Sequence, residues 1–114
     1  MWAIYYATYP LSHGNVDFAD IATRARFALP TIVHRWLPDG KRWGLEWVAR
    51  NPTRPDNCLG SFKINLVSGR WADFATGAAG GDVISLAAYL FGLSQTEAAL
   101  RIADMLSIPA GGRQ

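Results

Sequence analysis

The amino-acid sequence predicts an α+β domain: a small antiparallel sheet, helices ahead of it and a helical hairpin packed on it from behind. Three observations carry this. Residues 42–74 contain runs in which apolar and polar side chains alternate. Residues 17–36 and 82–106 place apolar side chains at helical spacing behind capping residues. Clusters of Gly, Pro and Asn separate these segments.

Taken in order, residues 2–9 alternate Trp, Tyr and Ile with Ala and Thr, which suits a short extra N-terminal strand ended by Pro10, Ser12 and Gly14. Asp17 is placed to cap a helix over 18–27, with Phe18, Ile21, Ala22 and Ala25 on one face. Pro30 suits the start of a second helix carrying Ile32, Val33 and Trp36, and Leu37-Pro38-Asp39-Gly40 then has turn chemistry. His34 on that apolar helix reads as a packing residue. Trp43, Leu45, Trp47 and Ala49 alternate with Arg42, Gly44, Glu46 and Val48, so 42–50 reads as one strand. An extended loop follows over 51–60, set by Pro52, Pro55 and their polar neighbours. Residues 61–66 and 70–74 form a hairpin about Val67-Ser68-Gly69, with Lys63 and Asn65 facing away from Phe62 and Ile64. Asp82 caps a helix that Gly92 closes near Phe91, and Ser94-x-x-Glu97 is a capping box for a last helix to about Leu106. The reading is one domain over 1–108 and a flexible tail over 109–114.

At 114 residues, half of them apolar, the chain is long enough to bury a core. It contains no run of roughly 18 apolar residues and no signal-like start, so a cytoplasmic location without membrane contact is expected. Cys58 is the lone cysteine, and with only His13 and His34 beside it the chain is short of ligands for a four-ligand zinc site. No cofactor or metal is expected. Net charge is only +2, but between Arg35 and Arg70 seven Lys/Arg stand against Asp39, Glu46 and Asp56, a local excess of four. That surface permits polyanion binding.

The stretch Thr76-Gly77-Ala78-Ala79-Gly80-Gly81 before Asp82 has the flexible backbone of an anion loop. It lacks the lysine of GxxxxGK[ST] and the spacing of GxGxxG, and reads as a strand-to-helix turn. Two isolated histidines make no Ser/His/Asp or Cys/His arrangement, and Asp82 is accounted for as a cap. No catalytic residue is expected.

The order Asn51-Pro52-Thr53-Arg54, Gly60-Ser61-Phe62-Lys63-Ile64-Asn65, Gly69-Arg70-Trp71-Ala72-Asp73-Phe74, Gly80-Gly81-Asp82-Val83-Ile84 and Gly92-Leu93-Ser94-Gln95-Thr96-Glu97-Ala98 resembles the zinc-binding N-terminal domain of bacterial and phage DNA primases. More narrowly, it resembles the metal-free versions at the front of primase-helicase or Toprim-containing replication proteins of phages, plasmids and integrated elements. The resemblance spans about 17–108 and implies a zinc-ribbon-like sheet. The family's Cys-x2-His and Cys-x2-Cys pairs fall here on Pro52, Pro55, Asp73 and Thr76, so the pair spacings survive without the ligands. The expected substitute for the metal is apolar burial by Trp43, Trp47, Phe62, Trp71 and Phe74.

In that family the domain contacts template DNA and does not itself join nucleotides. The resemblance thus implies a non-catalytic module for nucleic acid, single-stranded DNA first, in replication or transfer. Arg42, Arg50, Arg54, Lys63 and Arg70 are the candidates for phosphates, and Trp43 and Trp71 for base stacking. The alternative is a protein-interaction module that docks on a primase, helicase or other replication protein, with residues 2–9 as a strand for self-association.

Overall fold

The computed structural model describes residues 16–55 and 59–108. The expected strand 2–9 with its pairing role, Cys58 and the 109–114 tail lie outside the described residues. Helix α1 spans Phe18–Ala25 and continues through a 3-10 turn, Arg26–Ala28, into α2, Leu29–Trp36. The sheet follows as β1 Lys41–Trp43, β2 Glu46–Ala49, β3 Phe62–Asn65, β4 Trp71–Asp73 and β5 Ala78–Gly80. Helices α3, Val83–Phe91, and α4, Gln95–Met105, complete it, bent by 109° relative to one another. All neighbouring strands are antiparallel, in the spatial order β1-β2-β3-β4-β5. The α+β class, the N-terminal helices, the antiparallel sheet and the C-terminal helix pair are as expected. Among the described residues no single helix is long and apolar enough to cross a membrane.

The caps act as their chemistry requires. Asp17 accepts from the Asp20 N–H (3.0 Å); Asp82 with Ser85, and Ser94 with Glu97, form reciprocal capping boxes. Gly92 ends α3 in the left-handed conformation (φ 66°).

The expected single strand over 42–50 is instead the hairpin β1–β2. Trp43 pairs with Glu46, leaving Gly44-Leu45 as a two-residue connection, and Gly44 has φ 62°, the positive value that such tight hairpin turns demand of their first central residue. The expected plain turn before Asp82 likewise contains a strand, β5, returning along β4.

Antiparallel partners share a face of the sheet. Ala49, Phe62, Asp73 and Ala78 form one inward row, and Trp47, Ile64, Trp71 and Gly80 the next. Phe62, Ile64 and Trp71 from these rows join Ile21, Leu29, Ile32, Val33, Ile84, Leu86 and Ile102 of the helices in one core. Trp71 packs at 4.7 Å on the Tyr89 ring, and its Nε1–H donates to Ser85 Oγ (2.9 Å), joining β4 to α3. Trp47 Nε1–H donates to the Leu37 carbonyl (2.9 Å), tying the turn after α2 to the sheet.

Gly80 is where β5 crosses the Trp71–Ser85 link. A methyl group there would run into the Trp71 indole nitrogen and the Ser85 hydroxyl. Gly80→Ala is therefore expected to destabilise by about 1–3 kcal/mol through overpacking. Urea unfolding measures this, and an unchanged midpoint would show that the indole has room to move.

Candidate nucleic-acid interface

Loop 51–55 and the β4–β5 hairpin meet at Asp73. Its carboxylate is buried and accepts from Arg54 Nε–H (2.8 Å, Oδ2) and Arg54 Nη2–H (3.1 Å, Oδ1), a two-pronged ion pair. Asn51 Nδ2 donates to the same carboxylate (2.7 Å) and to Tyr89 Oη (2.8 Å), and Ala75 N–H donates to Oδ1 (2.9 Å). Arg54 Nη2 also donates to Ser61 Oγ, while the Thr53 hydroxyl and N–H donate to Asn51 Oδ1. The Arg54 hydrogen bonds, foremost, hold the Asp73 carboxyl well below the usual carboxylate range, against the opposing effect of burial; Asn51, Ala75 N–H and the Arg54 charge add to the lowering.

This network corrects the expected aromatic substitute for a metal. The two segments do come together, but through charge and hydrogen bonds. Phe62 and Trp71 are core residues and Trp47 is half-buried, whereas Trp43 and Phe74 are 54 % and 72 % exposed. The four positions matched to the primase ligands do not suit a metal. Pro52 and Pro55 have no side-chain donor atom, and both Asp73 oxygens are engaged by protein donors. Among the described residues no group of three or more His, Cys, Asp or Glu could hold a metal ion.

The sheet face turned from the core is where the remaining candidates sort themselves. Lys41, Val48, Lys63, Ala72 and Ala79 form one outward row, and Trp43, Glu46 and Asn65 another. Across β2–β5 this face is a shallow cleft of about 500 Å³, whose lining includes Glu46, Lys63, Asn65, Arg70, Phe74 and Gly81. Lys63 Nζ lies 5.9 Å from the centre of the Phe74 ring, so a cation and an exposed π face share one spot. Asn65 is held by accepting from the Val67 and Ser68 N–H groups, which shapes the β3–β4 turn and sets Arg70 at its exit.

Of the predicted residues, then, Lys63, Arg70 and the largely buried Trp71 line the cleft, and Trp43 lies on the same face in β1. Arg42 pairs with Trp47 on the other face and donates to the Gly44 carbonyl (3.1 Å), beside exposed His34, which packs edge-on to Trp47 rather than entering the core. Arg50 is exposed just past β2 and outside the cleft lining. Arg54 is held on the buried Asp73 carboxylate, its side chain 24 % exposed. Trp71, only 6 % exposed and packed between Phe62 and Tyr89, has no ring face open for a base. Sequence reasoning passed over Lys41 and assigned Phe74 to the core. The alternation of β4 carries the signal for Phe74, since it follows inward Asp73.

No protein-family model matches the chain, and no curated protein matches it. Among solved structures, the chain is similar to the crystal structure of the Aquifex aeolicus primase, comprising its zinc-binding and RNA polymerase domains. The TM-score is 0.67 over 87 % of this chain at 20 % identity. The chain spans 22 % of the length of that primase chain. The likeness establishes a primase-like fold.

Proposed function

We propose that this chain is a non-catalytic accessory module that binds single-stranded nucleic acid, DNA first, on the outward face of its sheet, in the replication or transfer of a mobile element. The observation that carries the reading is the grouping of Lys63, Arg70 and exposed Phe74 around one open cleft, with Trp43 on the same face, on a fold similar to a primase's. Cations hold phosphates, and exposed rings stack unpaired bases of any sequence. Glu46 in the same cleft repels phosphate and marks a limit on where the backbone runs. Asp73 at a former ligand position, ion-paired with Arg54 from between the two other matched positions Pro52 and Pro55, supports descent from a zinc ribbon whose metal gave way to an ion pair.

The test is fluorescence anisotropy with single-stranded DNA, duplex DNA and RNA oligonucleotides at two salt concentrations. Changing Lys63 and Arg70 together to Ala is expected to weaken single-strand binding about tenfold or more and to lower the salt slope by about two. Phe74→Ala is expected to cost about 1–3 kcal/mol of binding with little salt dependence. Equal affinity in all three proteins, or no binding by the parent chain at low salt, would remove the cleft as the binding surface.

A further inference from the structure

Between α2 and the β1–β2 hairpin lies a smaller cleft of about 360 Å³, lined by Pro30, Thr31 and His34 of α2, Arg42 of β1, Trp47 of β2 and Leu66 just past β3. Residues three and four apart share one side of a helix, which is why Pro30, Thr31 and His34 reach the cleft together. Arg42 arrives from the hairpin, opposite Trp47 in the register. Its Nε–H donates to the Gly44 carbonyl (3.1 Å), a neutral acceptor that orients the guanidinium and leaves its charge unbalanced. Among the described residues, neither the terminal amino groups of Arg42 nor the ring nitrogens of His34 have a hydrogen-bond or ion-pair partner. The His34 ring instead stands edge-on to Trp47 (5.3 Å, 63°), and no carboxylate is among the lining residues.

We infer that this cleft binds a nucleotide through its phosphate monoester, with Arg42, His34 and Thr31 on the phosphate and Pro30, Trp47 and Leu66 against the organic part. The occupant follows from the donors. A guanidinium presents two parallel N–H groups to a phosphate, and an imidazole N–H and a hydroxyl add one each. Together they suit the three non-bridging oxygens of a monoester, where an internal phosphodiester offers only two. The volume is at the low end of the range of about 300–1,000 Å³ typical of ligand sites, and an apolar wall with a few convergent polar groups is the usual lining of such sites. A sugar or base can lie against that wall. A phosphorylated peptide fits less well, because its backbone would bring polar groups that Pro30, Trp47 and Leu66 cannot receive. The cleft shares no residue with the outward sheet face, so the inference does not rest on strand binding there. A free nucleotide and the 5′ end of a strand carry the same phosphate chemistry.

NMR titration of the intact chain with dTMP, thymidine and inorganic phosphate tests the site. Saturable shifts of the His34 ring and Arg42 Nε–H signals are expected with dTMP and none with thymidine, and inorganic phosphate should bind at least about tenfold more weakly than dTMP. Arg42→Gln and His34→Ala should each weaken dTMP about tenfold or more, since each removes a donor to a charged group. Both positions are exposed, so the fold stays intact. The Lys63→Ala/Arg70→Ala chain should bind dTMP undiminished. Trithymidylate with and without a 5′ phosphate distinguishes the sources: if the phosphorylated form binds more tightly than dTMP the ligand is a strand end, and if less tightly a free nucleotide. No shift at millimolar dTMP would overturn the inference. So would equal shifts with thymidine, inorganic phosphate binding as tightly as dTMP, unchanged affinity in either variant, or tighter binding by a phosphoserine peptide than by dTMP.

Discussion

Replacing Arg54 with Met is expected to destabilise the fold by about 3–5 kcal/mol, against a total of roughly 5–15 kcal/mol for a domain. The loss comes less from the missing attraction than from what stays behind. Asp73 has no exposure to water, and without the guanidinium its carboxylate would be a buried charge with only Asn51 and one backbone N–H for company. The double variant Arg54→Met/Asp73→Leu removes both charges and should regain most of that loss, because apolar replacements of buried pairs are often neutral. Urea unfolding of the two singles and the double yields the coupling energy. A coupling near zero, or an Arg54→Met cost below about 1 kcal/mol, would mean that water reaches Asp73 and that the pair is ornamental.

Acid should expose the same link from the other side. A carboxyl whose value is depressed in the folded state stabilises the fold above its unfolded value, about 3.9, and loses that contribution as pH falls through its folded value. The difference in unfolding free energy between the parent chain and Asp73→Asn is therefore expected to be flat near neutrality and to shrink below about pH 4. The limiting slope for one proton is about 1.4 kcal/mol per pH unit. Parallel curves down to strongly acid pH would show that Asp73 is not held in its ionised form by Arg54.

Local chemistry in the sequence revealed the helices well. Asp17, Asp82, Ser94 with Glu97, and Gly92 each announce a helix end through hydrogen bonds made within a few residues, and all act as read. Inward Phe62, Ile64 and Trp71 of β3 and β4 were likewise legible, whereas Phe74, expected inside, is exposed and Asp73 takes the inward place beside it. Two strands were not resolved correctly, for different reasons. Trp43, Leu45, Trp47 and Ala49 keep their period straight through a tight turn, so only Gly44, a residue poor in the middle of a strand, signalled the break. β5 consists of Ala78, Ala79 and Gly80, small residues without strand preference, and exists because β4 offers it a partner. The Arg54–Asp73 pair lies beyond local reading altogether: its members are 19 residues apart, and each taken alone resembles an ordinary surface charge. Matching positions to a metal-binding pattern found where the loop and hairpin meet, but not what joins them.

A link between loop and hairpin made by the side chains of Arg54, Asn51 and Asp73 forms as the chain folds. It waits on no loading step, so a cell starved of zinc assembles it as readily as one that is replete. A chelator has nothing to strip from the Arg54–Asp73 pair, and an oxidant finds no thiolate in that pair to attack.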